Sequence, residues 1–276
     1  MQHTALGQVA MPGDAKARNR QMMLRVVRSG NTLTAAEIHR VTGISRPTVM
    51  RFLQHLCQLG VISSQGLGDS TSAGGKRPEL FRFSDARRIL CVNLWPSAVS
   101  LALSGLVGQV YDLEETQRPC SDNLDCGLAD AKALAQAYLA RRGLKLNDLY
   151  GVVLTVPGTV DYASQVLRYN SQSPGWGTDA PLGQKLRALL GEGLKCYIDN
   201  AGKAAGRALL LEHPEYAAER TLTLFTTWGV SACLMDKGHV QSGRDALIGE
   251  IGHMIICDTD EEVCGCGKRG CLESMV

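Results

Sequence analysis

From residue 15 onward, apolar positions recur at helical spacing. Met22, Met23, Val26 and Val27 fall on one face, and Lys16, Arg18, Arg20, Arg25 and Arg28 are left mostly to solvent. This predicts a helix stopped by Gly30. Residues 1–14 have no periodicity and read as a disordered lead-in. A second helix is expected from Thr34, with Glu37 three positions on completing a reciprocal capping pair. Gly43 makes the turn. Ser45 is placed to cap a third helix running to Gly60, with Pro47 tolerated in its first turn. The apolar face of that helix is Val49, Phe52, Leu53, Leu56 and Leu59. Two short strand-like runs follow, at 61–63 and 80–83. The Gly- and Ser-rich loop between them carries Lys76-Arg77-Pro78.

That order is a winged helix–turn–helix, expected over residues 15–88. It places Ser45, Arg46, Pro47, Thr48 and Arg51 at the start of the helix that reaches base edges in this motif. Lys76 and Arg77 fall on the wing, where they could reach phosphates or a minor groove. Charge strengthens the reading. The net charge of +2 hides 13 Lys and Arg against 5 Asp and Glu in residues 1–88, and 16 against 22 in the remainder. A basic first third on an acidic remainder suggests an anionic partner for that part alone. The bland alternative is a small helical domain with a solvated basic face. The helix–turn–helix–hairpin order together with the charge favours operator DNA.

From residue 89 the pattern alternates strands and helices. Strands are expected at 89–95, 99–105, 107–113, 150–158, 195–200, 220–228 and 230–240, and helices at 129–143, 181–191 and 201–213. The spacing alone says α/β.

The run GEIGHMIICDTDEEVCGCGKRGCLE, from Gly249 to Glu273, carries the clearest chemistry. His253, Cys264, Cys266 and Cys271 supply one imidazole and three thiolates, a closed tetrahedral shell of the structural zinc type. Glycines flanking Cys266 permit the tight turns this needs. A cluster of buried or disulfide-linked cysteines is the competing reading. Three cysteines within eight residues plus an upstream histidine is not core-packing chemistry.

This run resembles the zinc signature of the ROK family of repressors and sugar kinases, Gly-Glu-x-Gly-His followed by Cys-x-Cys-Gly-x-x-Gly-Cys-Leu-Glu. The N-terminal module, with its Gly43-Ile44-Ser45-Arg46-Pro47-Thr48-Val49 stretch, is similar to the front of ROK repressors. The resemblance implies an α/β chain: a winged helix–turn–helix joined to a ribonuclease-H-like, actin-like ATPase (sugar kinase) fold over residues 89–276. It also implies roughly a hundred further residues, so the C-terminal lobe is expected to be incomplete. By the same resemblance Asn200, Glu250, His253 and Glu273 match positions that hold or shape a sugar pocket. Asn170, near Pro174-Gly175-Trp176, is expected to border it as well.

Departures from the family pattern oppose catalysis. The kinases carry Asp-x-Gly-Gly-Thr where this chain has Asn93-Leu94-Trp95-Pro96-Ser97. Pro96 removes an amide donor. A second phosphate turn keeps only Gly229. The kinases' Asn-Asp-Ala-Asn becomes Asn200-Ala201-Gly202-Lys203, and alanine accepts no proton. A one-residue slip would offer Asp199 instead.

The expected function is therefore a transcriptional regulator, most simply a repressor of sugar-metabolism genes, without enzyme activity. It would contain structural Zn²⁺, sense a sugar or sugar derivative and bind operator DNA as a homodimer or higher homo-oligomer. The rivals are an ATP-dependent sugar kinase and a zinc-stabilised interaction module. No apolar run is long enough to span a bilayer and no signal-peptide core is present, which with the thiols predicts a cytoplasmic protein.

Overall fold

A computed structural model describes residues 12–28, 32–69, 77–84, 88–117, 122–191, 193–227, 229–257 and 263–276. The chain divides into two compact units, the first drawn from residues 1–87 and 105–109 and the second from 88–104 and 110–276.

In the first unit, α1 spans Pro12–Val27. It starts earlier than the periodicity suggested, because a proline fits the first helical turn, where its missing N–H is no loss. The stop assigned to Gly30 lies outside the described residues. The strand β1 (Leu33–Thr34) leads into α2 (Ala35–Thr42). The capping box is present: Glu37 N–H donates to Thr34 Oγ1 at 3.2 Å, and Thr34 N–H donates to Glu37 Oε2 at 2.7 Å. Gly43 ends α2 in the left-handed region at φ 69°. His39 Nδ1 lies 2.7 Å from the Ile44 carbonyl oxygen and ties the turn to α2.

Helix α3 spans Arg46–Gln58 and stops short of Gly60. Ser45 makes no side-chain cap. Its Oγ pairs instead with Thr48 Oγ1 at 2.9 Å. Val49, Phe52, Leu53 and Leu56 are buried, each contributing about 1.5–3 kcal/mol. Leu59 is 44% exposed, because it follows the last helical turn and leaves the apolar stripe. Strands β2 (Ile62–Leu67) and β3 (Glu79–Phe83) pair antiparallel, and β1 adds to the far edge of β3. The hairpin is thus a three-stranded sheet.

The second unit is built on a five-stranded sheet, ordered β10-β7-β4-β5-β6. Its strands are β4 (Arg88–Leu94), β5 (Ala98–Ser104), β6 (Val110–Gln117), β7 (Leu149–Val156) and β10 (Lys195–Asn200). β4, β7 and β10 run parallel, while β5 and β6 are antiparallel. Helices α4 (Leu124–Ala140) and α5 (Leu182–Leu190) cover the sheet. Leu90, Val92, Leu154, Ile198, Tyr138 and Leu182 belong to the resulting core. A short hairpin, β8 (Thr159–Asp161) with β9 (Val166–Tyr169), follows β7 and was not expected. Helix α6 (Ala201–Glu212) packs on a second sheet, β11 (Arg220–Thr226), β12 (Val230–Asp236) and β13 (His239–Val240). The single strand expected over 230–240 is therefore two, because Lys237-Gly238 turns the chain at φ 49° and 74°.

Candidate functional site

The parallel strands β4, β7 and β10 deliver Trp95, Pro157-Gly158 and Asn200 from their carboxyl ends to one cavity of about 370 Å³. Carboxyl ends of parallel strands are where α/β sheets form ligand crevices. Thr159, Ala201, Gln172, Glu250, His253 and Glu273 also line it. Four of the five residues expected at a sugar site are thus brought together.

Asn170 is the exception. It is fully buried and does not line the cavity. Gly158 packs so closely that an added Cβ would sit 2.8 Å from the Asn170 Cα. Asn170 Oδ1 accepts from the Gln172 N–H at 3.0 Å, and its Nδ2 has no partner among the described residues. It supports the wall behind Gln172.

The other residues are partly engaged by the fold. Asn200 caps α6: Oδ1 accepts from Lys203 N–H at 2.9 Å, and Nδ2 donates to the Gly158 carbonyl at 2.7 Å. One N–H of Nδ2 is left for a ligand. Glu273 Oε2 accepts from Val230 N–H at 2.9 Å and so anchors the turn before β12. Burial pushes the Glu250 carboxyl above the ordinary range, opposed by Lys203 and raised further by Glu273. The Thr159 hydroxyl neighbours that carboxyl and favours its charged form. Lys203, 2% exposed, is pushed below its ordinary range by burial, with Glu250 and Asp199 opposing. Thr159 and Lys203 went unnoticed in the sequence. No local pattern marks them, since a lysine in a helix ordinarily reads as solvated.

The residues bearing on phosphoryl transfer are arranged as follows. Ala201 lines the cavity. Asp199 does not: its Oδ1 accepts from Asn200 N–H at 2.9 Å and its Oδ2 from Arg207 Nε at 2.8 Å. The N–H of Trp95 closes a turn onto the Ala98 carbonyl at 2.8 Å.

Beside the cavity the ligand atoms of His253, Cys264, Cys266 and Cys271 all lie within 4.8 Å of one another. Cys264 Sγ is 3.5 Å from His253 Nδ1, and Cys266 Sγ is 3.7 Å from Cys271 Sγ. A zinc tetrahedron with ordinary bond lengths has S···N and S···S edges of about 3.6 and 3.8 Å, so the donor set fits. Burial first, then the neighbouring sulfurs, push the Cys271 thiol up to about 12. Three thiols this close do not ionise together without a cation among them. The loop carrying these cysteines also braces the cavity wall. Tyr169 Oη donates to the Gly265 carbonyl at 3.0 Å, and Gly265 lies so close to the Ser171 carbonyl that no Cβ fits.

In the first unit Ser45, Arg46, Pro47 and Arg51 are exposed and Thr48 is half-buried. Arg77 is exposed between β2 and β3, and Lys76 lies outside the described residues. Among the described residues no helix is long and apolar enough to cross a membrane, and all nine cysteines are free thiols.

Comparison with known proteins places these features in context. The signature of the ROK family matches residues 90–276, and that of the IclR helix-turn-helix domain matches residues 22–66. The xylose repressor of Caldicellulosiruptor bescii is 22% identical over 99% of this chain and 64% of its own. The DNA-binding transcriptional dual regulator NagC of Escherichia coli is 23% identical over 94% of this chain and 62% of its own. The chain thus spans less than two thirds of the length of these relatives. Among solved structures, a ROK family transcriptional regulator homologous to the E. coli MLC protein superposes with a TM-score of 0.73 at 19% identity, covering 93% of this chain and 63% of that one. The likeness at that identity establishes the fold.

Proposed function

Because this chain belongs to the ROK family, we propose that it is a sugar-responsive, DNA-binding transcriptional repressor. The observation that carries the reading is the N-terminal turn of α3. Arg46, Pro47 and Arg51 stand exposed directly after a turn fixed by Gly43 and His39. That is the arrangement that addresses base edges in a major groove. Arg77 on the hairpin would contact the backbone. A homodimer would set two such units on two half-sites.

The second unit would sense the effector. Glu250, with its acidity tuned by Lys203, and the remaining N–H of Asn200 suit sugar hydroxyls. Zinc held by His253, Cys264, Cys266 and Cys271 would be structural, since its four protein ligands leave no open position. The protein would not phosphorylate its ligand: Ala201 occupies the position of the kinases' base, and Asp199 is committed to Arg207. Zinc-ligating thiolates would suit the reducing cytoplasm.

The test is a fluorescence-anisotropy titration of the full chain against duplex DNA from its own promoter region, repeated with a panel of monosaccharides and their phosphates. Salt-sensitive binding that one sugar releases is the expected result. Absence of binding there and at selected sequences overturns the reading.

A further inference from the structure

The solvent side of α1 is not uniformly exposed to water. Lys16, Asn19, Arg20 and Met23 of α1 form one wall of a groove of about 390 Å³. Thr48, Arg51, Phe52 and His55 of α3 form the other. Lys16 and Arg20 are four residues apart on one helix, as are Arg51 and His55 on the other, so each pair stacks on one helical face. All four are exposed, whereas Met23 and Phe52 are only 2% and 8% exposed and make the floor. No carboxylate lines the groove. Lys16 and Arg20 on one wall therefore face Arg51 on the other, with no carboxylate between them to balance the charge and with the His55 imidazole adding a further polar group.

We propose that α1 is a second DNA-contacting element, and that this groove seats a stretch of sugar–phosphate backbone beside the bases addressed by the start of α3. The proposal rests on the DNA-binding reading and extends it to a helix outside the helix–turn–helix. Continuity supports it. Thr48 and Arg51 belong both to the exposed end of α3 and to the groove wall, so a strand passing the first continues into the second. Chemistry supports it too. Guanidinium groups fork onto phosphate oxygens, lysine adds a mobile point charge, and Asn19 and Thr48 supply neutral donors. The apolar floor fits the deoxyribose face rather than a free anion, which demands hydrogen bonds from every side. A helix lying across the backbone would fix the register of α3 without reading sequence itself.

The experiment compares two double variants of the full chain. K16Q/R20Q removes the groove's charges on α1. R18Q/R25Q removes the same number of exposed charges from α1 outside the groove. Thermal melts confirm that both fold. DNA affinity is measured from low to high salt on promoter and on random duplexes. K16Q/R20Q is expected to weaken both duplexes alike and to lower the slope of log affinity against log salt by about 0.9 for each phosphate that the variant no longer neutralises. R18Q/R25Q is expected to leave the slope within error of the parent. Equal slopes for all three proteins, or equal losses in both variants, overturn the groove while leaving DNA binding intact. Loss confined to the promoter duplex also overturns it, since that is base reading. A parent chain with no salt-sensitive DNA binding overturns both readings.

Discussion

Lys203 Nζ donates a 2.7 Å hydrogen bond to the carbonyl oxygen of Ala246. Ala246 is itself buried and left-handed, at φ 61°. The bond ties α6 to the loop that presents Leu247 and Glu250 to the cavity. K203M would leave that carbonyl without its donor and Glu250 without the cation that opposes the effect of its burial. The expected cost is about 1–3 kcal/mol of stability in chemical denaturation, together with weaker effector binding. An unchanged midpoint and unchanged binding would remove Lys203 from the site.

Gly249 has φ 104°, and any Cβ there would overlap the Ala232 carbonyl oxygen. Its own carbonyl accepts from Ala232 N–H at 2.7 Å. G249A should therefore cost roughly 2 kcal/mol or more and displace Glu250. The midpoint of thermal unfolding checks it.

Elemental analysis should find one zinc per chain. C264A should lose it and loosen the wall that Tyr169 and Ser171 share with Gly265, because at such sites metal binding is folding energy. Hydrogen exchange over residues 263–273 and 169–172 should accelerate together. Faster exchange in the first stretch alone would show that the loop does not brace the cavity.

Backbone and side-chain hydrogen bonds from Thr34 hold the Glu37 carboxyl below its usual range. The folded value is depressed, so the capping contribution is complete above the unfolded carboxylate value of about 4.3 and is lost as pH falls through the folded value. E37Q should flatten the acid limb of the stability curve and leave its neutral plateau lower. Circular dichroism melts between pH 3 and 7 report both.

R46A should lose more affinity for the operator than for random DNA, by about 1–3 kcal/mol if it reads a base. R77A should weaken both equally. Anisotropy on paired duplexes separates the two roles.

Local chemistry was readable from the sequence and tertiary context was not. Thr34 with Glu37 announced the start of α2, since a capping box is complete within four residues. Ser45 promised the same and did not deliver, because the Thr48 hydroxyl captured its oxygen. His253, Cys264, Cys266 and Cys271 stood out through spacing, yet nothing local revealed that Tyr169 would reach Gly265. The hairpin of β8 and β9 was missed because its strands are only 3 and 4 residues long. Its signal was Asp161, whose Oδ1 accepts from Ala163 N–H at 3.1 Å in an Asx turn. The same limit applied to Asn170. Sequence placed it near the cavity, but only packing against Gly158 decides that it faces inward.

The bond from Val230 N–H to Glu273 spans 43 residues. It has a consequence for the order in which a ribosome makes this protein. Every partner within the helix–turn–helix emerges before Glu273 and can fold as a unit. The cavity lined by Glu273 cannot close until that residue has left the exit tunnel. Until then the nascent chain carries a finished helix–turn–helix and an unfinished cavity.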